Sequence, residues 1–212
     1  MFLAAIEWVR NHPDDFRIAL TRHLEMSAIA MLIALAIGVP VAAAIVRSAK
    51  IASIGIAVVN GLRTIPSLAI LALTMPLMGI GLAPSVVALT VLALPPILIN
   101  SFIGLRDADP AAVEAAIGIG MTRRQTTMKV RFPLAYPAIF AGTRTAAVQV
   151  LSGATLAPFI GGGGLGDFIA TGISAMDPVK LLVGAVPIAS LALGSELLFS
   201  LVERLAFSRR AS

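Results

Sequence analysis

The chain has 212 residues, 58% of them hydrophobic and only 13% charged, with a mean hydropathy of +0.96; this excludes a soluble domain with a solvated surface and predicts an all-α membrane protein. The formal net charge of +5 does not point to nucleic acid, because no basic stripe with interleaved aromatics occurs and membrane proteins collect Lys and Arg in cytoplasmic loops. Cysteine is absent, which excludes disulfides, thiolate nucleophiles and thiolate metal sites.

In chain order, Glu7, Asp14 and Asp15 interrupt the N-terminus where a signal peptide would be apolar, so the first span is expected to serve as its own signal. His12 and His23 are the only histidines. Both fall in this polar segment and are expected to be solvated or interfacial, not metal ligands. Residues 26–46 and 64–105 then carry no formal charge, and one span needs about 20 apolar residues. The pattern predicts about five spans, with room for a sixth: 24–46, 56–78, 84–105, 134–159 and 179–202. Residues 51–62 either extend the second span as a tilted helix or lie at the interface before it.

Loop charges set the expected orientation. Arg47, Lys50, Arg106, Arg123, Arg124, Lys129, Arg131, Arg204, Arg209 and Arg210 fall on one side, whereas Arg10, Arg17, Arg22 and Lys180 on the other are offset by acids. By the positive-inside rule the first side is cytoplasmic. This places the N-terminus outside, the C-terminus inside and the longest polar loop, 106–133, in the cytoplasm.

The run "PFIGGGGLGDFIATG" at 158–172 contains Gly161, Gly163 and Gly166 at the G-x-G-x-x-G spacing of a dinucleotide site. It follows an apolar span instead of a strand, and Asp177 and Glu196 miss the position about 20 residues on where a ribose-binding acid is expected. The reading favoured by this context is a sharp bend and packing element at the outer mouth. No cofactor is expected in this chain.

The 106–133 loop contains "DADPAAVEAAIGIGMTRRQTTMKVRFPLAYPAI". Asp109 before Pro110 reads as an N-cap with proline at the first helical position. Thr122 and Gln125 have capping-box spacing, so a second helix is predicted from Arg123 to Pro133. Positive-inside charge alone accounts for the basic residues. It does not account for the small, uncharged face of Ala115, Ala116 and Gly120, which would let another protein approach closely.

Glu114-Ala115-Ala116, then Gly120, then Val130-x-Phe132-Pro133, resembles the EAA loop of ABC import permeases, with Val130 and Phe132 as conservative departures. "RTIPSLAILAL", "PLMGIGLAP" and "GGGLGDFI" extend the resemblance over nearly the whole chain, which is most similar to membrane subunits of importers for glycine betaine, carnitine, choline and related osmoprotectants. Methionine-import permeases are more distantly similar. The resemblance implies a single permease domain, 1–212, of the type I importer fold. It implies that Glu114, Ala115, Ala116, Gly120 and Pro133 couple to an ABC ATPase subunit, and that a second permease subunit, identical or related, and a substrate-binding protein complete the assembly in the inner membrane.

No G-x-x-x-x-G-K-[ST] motif occurs, so ATP is expected to be hydrolysed by another chain. Trp8 and Tyr136, the only aromatics besides Phe, fall on opposite sides, so no aromatic cage for a quaternary ammonium is expected here. Arg144 and Glu196 both fall roughly 12 to 15 Å from the cytoplasmic ends of their spans at 1.5 Å per residue. Either they pair, since intramembrane charges tend to, or each snorkels to water. Arg63, Pro66, Ser67 and Asn100 are candidates for the path or gate. Arg63 also fits an inner-interface marker, and Asn100, with its neighbour Ser101, fits a helix-to-helix hydrogen bond. Two other classes stay open from the residues alone: a membrane-embedded enzyme, for which only Asp107, Asp109 and Glu114 cluster, and an ion-coupled secondary transporter, for which Glu196 is the one carboxylate in a span.

Overall fold

The computed structural model describes residues 1–46 and 49–207. The described residues form ten α-helices: α1 (Phe2–Asn11), α2 (Pro13–Ile45), α3 (Ala49–Thr64), α4 (Ser67–Met78), α5 (Leu82–Arg106), α6 (Pro110–Gly118), α7 (Arg123–Thr126), α8 (Phe132–Gly153), α9 (Gly166–Ser174) and α10 (Pro178–Phe207). No strand occurs among the described residues. Three helices, α2, α5 and α10, are long and apolar enough to cross a membrane by length and composition. Arg47, Arg209 and Arg210 of the basic set lie outside the described residues, as do the side chains of Lys50 and Arg63.

The three-helix core of α2, α5 and α8 is built on small residues. Ala30, Ala34, Gly38 and Ala42 recur every four positions on α2 and are all buried. Such a stripe lets backbones approach closely, which is how helices gain packing energy where hydrocarbon offers no hydrophobic drive. A Cβ at Gly38 would lie 2.9 Å from Ile97 on α5. On α8, a Cβ at Gly142 would lie 2.6 Å from the Pro96 carbonyl oxygen. Met26, Ala93, Ile97, Ala146 and Val150 fill the space between. α10 lies outside this core against α8 and α9, with α1 along its first half.

Two expected spans are not continuous helices. Residues 56–78 break at Ile65-Pro66, because proline disfavours a helical residue before it and has no amide to give. Residues 51–62 accordingly belong to α3, a separate helix. The fourth span gives way after Gly153 to a 3-10 segment, Ala154–Ile160, which ends on the glycine run. The second loop helix does not stop at Pro133 either. α7 passes through a π-helical turn at Thr127–Arg131 directly into α8, where Pro133 sits in the first turn and its missing amide costs nothing.

One end of the bundle therefore gathers α1, the start of α2, the glycine run, α9 and the start of α10. The other gathers the ends of α2, α5 and α10 with the α6–α7 hairpin.

Candidate functional site

The hairpin is capped at both of its helix starts. The Asp109 carboxylate accepts the Ala111 amide at 3.0 Å. Thr122 Oγ1 accepts the Gln125 amide at 3.3 Å while Gln125 Oε1 accepts the Thr122 amide at 2.8 Å, a reciprocal capping box. Each such cap contributes about 1 kcal/mol. Gly120 makes the turn between them at φ +84°, a left-handed conformation in which a Cβ is strained. No atom lies within 4 Å of where that Cβ would stand.

The hairpin is held to the bundle by an arginine that sequence reasoning assigned only to the charge rule. Arg131 Nη1 donates to the Leu105 carbonyl at 2.9 Å and lies 3.4 Å from that of Arg106. These are the last carbonyls of α5, which lack helical partners and carry the negative end of the helix dipole. Beside them Arg106 Nε donates to Asp107 Oδ1 at 2.8 Å, a bond that holds the exposed Asp107 carboxyl below the usual carboxylate range.

The small face expected on α6 is divided. Val113 and Ala116 are buried against this chain, so Ala116 is not part of an outward surface. Glu114, Ala115 and Gly120 are exposed. With them stand Ile117 at 60% and Ile119 at 76% exposure. Two large apolar side chains beside a glycine turn, on an otherwise polar hairpin, form a surface this chain leaves uncovered. The signal was present as "IGIG", apolar residues past the point where the amphipathic face ends.

Arg144 and Glu196 are brought together, with a third member. Arg144 Nη2 donates to Glu196 Oε1, and its Nη1 donates to Glu203 Oε2 at 2.8 Å. Glu203, two helical turns beyond Glu196 on the same face of α10, was missed although the i, i+7 spacing was legible.

The path candidates are dispersed. Pro66 is exposed in the break before α4 and Ser67 is half-buried. The Arg63 side chain lies outside the described residues. Asn100 lies where α5 crosses α8, against Gly142, and its Nδ2 donates to the Pro96 carbonyl at 2.8 Å. Ser101 is fully buried and its Oγ has no partner.

At the opposite end, an open groove of about 650 Å³ runs between α2 and the glycine run, lined by Arg17, Arg22, Glu25, Gly161 and Asp167 among others. Burial pushes the Asp167 carboxyl above its ordinary range. His12 is exposed and stacks on Trp8 at 4.4 Å. His23 departs from expectation: it is fully buried, because α2 continues as one helix and turns this residue toward α8.

The described residues form an all-helical bundle with small-residue packing, charges paired between α8 and α10 and an apolar-tipped polar hairpin, and comparison with known proteins shows this to be the type I ABC importer permease fold of a membrane transport subunit. Residues 34–208 match the family described as the binding-protein-dependent transport system inner membrane component. The chain belongs to that family, and is thus a multi-pass inner-membrane subunit whose assemblies contain an ATPase, a second permease and a substrate-binding protein. It is 41% identical over 190 residues to the carnitine transport permease protein OpuCB of Listeria monocytogenes, covering 90% of this chain and 87% of that one. Against the choline transport system permease protein OpuBB of Bacillus subtilis (strain 168) it is 37% identical over 199 residues, 94% of this chain and 92% of the relative. Among solved structures, an inward-facing MetNI methionine ABC transporter matches with a TM-score of 0.81 at 23% identity over 90% of this chain and 95% of that one. An amino acid ABC transporter crystallised with histidines matches at 0.74 and 21% identity, over 96% and 97%. At those identities the structures speak to the fold.

Proposed function

We propose that this chain is the permease subunit of an importer that moves a quaternary-amine osmoprotectant, such as glycine betaine, carnitine or choline, across the cytoplasmic membrane. The observation that carries the cargo class is the 37–41% identity, over about nine-tenths of the chain, to permeases named for carnitine and choline. Methionine is represented by fold-level likeness alone. In this reading the chain lies with its N-terminus outside and its C-terminus in the cytoplasm, which the distribution of Lys and Arg supports.

In this reading the chain needs no cofactor of its own. ATP is hydrolysed by a partner, and Glu114, Ala115, Gly120 and the exposed Ile117 and Ile119 form the seat that partner grips, with Ala116 and Pro133 shaping it from within. Closure of the ATPase pair pushes on this hairpin. Arg131 and the unbroken run from α7 into α8 carry the push to the span that holds Arg144, so that the spans rock between inward-open and outward-open states. Arg63, Pro66 and Ser67, at the α3–α4 break, contribute to the gate, and Asn100 sets the crossing of α5 and α8.

The test is ATP hydrolysis by the reconstituted complex with its binding protein. Glycine betaine, carnitine or choline should stimulate hydrolysis several-fold and methionine should not. Stimulation by methionine with none by quaternary amines would overturn the cargo assignment.

A further inference from the structure

Beneath the glycine run the chain encloses a histidine with one ring nitrogen unspent. His23 Nε2 lies 3.0 Å from the Leu151 carbonyl oxygen, so that nitrogen carries the proton and donates, and Nδ1 of the same neutral ring is a bare lone pair. Nothing bonds to Nδ1. Leu151 stands in the last turn of α8, where carbonyls run out of helical partners. The imidazole is therefore a bolt between α2 and the point where α8 gives way to the 3-10 segment, joining residues 128 apart in sequence.

The glycine run rests directly on this ring. A Cβ at Gly164, at φ +99°, would stand 3.3 Å from His23 Nδ1 and 2.6 Å from Met26 Cε. Only a glycine in a left-handed conformation can close over the histidine so tightly.

We propose that His23 is a positioning residue of the outer mouth, holding the end of α8 and the glycine run together while neutral and releasing them when it takes a second proton from the outer solution. A proton on Nδ1 makes an imidazolium with two donors. The second donor has no acceptor where it stands, and the charge lies in a fully enclosed place. Both costs are relieved when the run lifts and lets water or a carboxylate reach the ring.

The charges around the site set which carboxylate can respond. On α2, Arg22 and Glu25 are paired with each other at 3.2 Å. Asp15 and Arg17 of α2 line the same groove, Arg17 being paired with Asp14 at 3.4 Å; at the head of α9, Asp167 Oδ2 lies 3.6 Å from the Cβ position of Gly163, so this carboxylate stands beside the run that would lift. α1 contributes Glu7 and Arg10, His12 caps its C-terminal end, and Lys180 is the one titratable group in the first half of α10. The segment between Arg144 and Asp167, and α5 before Arg106, carry none.

The inference rests on the proposed topology, which puts this end of the bundle outside. Uptake is measured in proteoliposomes holding the whole complex, with ATP and a fixed pH in the lumen, a saturating binding protein whose cargo affinity is measured at each pH, and an outer pH stepped from about 7.5 down to about 4.5, past the ordinary histidine range because an enclosed ring takes its second proton reluctantly. Native uptake should fall several-fold as the outer solution is acidified. His23→Gln, whose amide can still donate to the Leu151 carbonyl but cannot titrate, should keep the uptake and lose the pH response. His23→Leu should lower uptake at every pH. Native uptake that ignores outer pH, once cargo binding is corrected for, overturns the proposal whatever the variants do; so does an identical pH profile in His23→Gln. In a second series the outer pH is held at about 7.5 and the lumenal pH is stepped instead; a response to lumenal acid alone overturns the topology, and with it the placing of this latch at the outer mouth.

Discussion

Replacing Gly120 with leucine should leave the permease folded and inserted while reducing cargo uptake per ATP hydrolysed about tenfold, given that coupling between sites is typically about 1–3 kcal/mol. The intramolecular cost of that substitution is small. Nothing in the chain lies within 4 Å of the new Cβ, so the penalty is only the left-handed backbone at φ +84°, about 1 to 2 kcal/mol. A loss of transport far beyond what this strain produces must arise where leucine meets a foreign surface. Gly120→Ala isolates the strain from the bulk and should fall between the native protein and leucine. Uptake and ATP hydrolysis measured together check this. If leucine lowers both only in step with the amount of folded permease, the turn has no part in coupling.

The second large effect is at Arg144. Removing this side chain leaves Glu196 and Glu203 facing each other's charge without a counter-ion. In water such exposed pairs contribute little, but in the proposed membrane topology the open side of α10 faces hydrocarbon or another subunit. Carboxylates left there without their cation are unfavourable, because an intramembrane charge needs a partner. Arg144→Ala should therefore deplete the membrane of folded permease, and Arg144→Glu, with three carboxylates together, should do so more severely. Arg144→Glu combined with Glu196→Arg restores one guanidinium among two carboxylates and should recover part of the expression lost in either single variant. The amount of detergent-extracted, monodisperse permease reads the result. Exchange variants that recover nothing, or an Arg144→Ala protein as abundant as native, would show that the three side chains find water separately.

What the sequence made legible was whatever local physics encodes. The caps at Asp109 and Thr122 need only neighbours within three residues, and both formed where the spacing put them. The apolar runs of α2 and α5 stand out because twenty or more consecutive residues lack charge, and that of α10 stands out although Glu196 interrupts it. The break at Pro66 was also encoded locally, yet was read through, because hydropathy summed over 56–78 hides one proline. The facing of Ala116 was not legible: Ala115 and Ala116 are adjacent, identical in kind and 100° apart on the helix, and only the docking of α6 on the bundle decides which is buried. His23 is the strongest case. Its partner is the carbonyl of Leu151, a backbone group that leaves no mark in the side-chain pattern, so a histidine in a polar segment looked solvated until the fold closed over it.

The central claim is that the tip of the α6–α7 hairpin is covered by a motor carried on another chain. The absence of cysteine makes the direct measurement simple: Ile119→Cys supplies the sole thiol of the permease, and its rate of labelling by a water-soluble maleimide is compared in the isolated permease and in the complex with its ATPase. The thiol should react quickly when the permease is alone and be shielded at least about tenfold in the complex, as expected of a residue at the centre of an interface. Equal rates in the two states would mean that no motor sits on the hairpin.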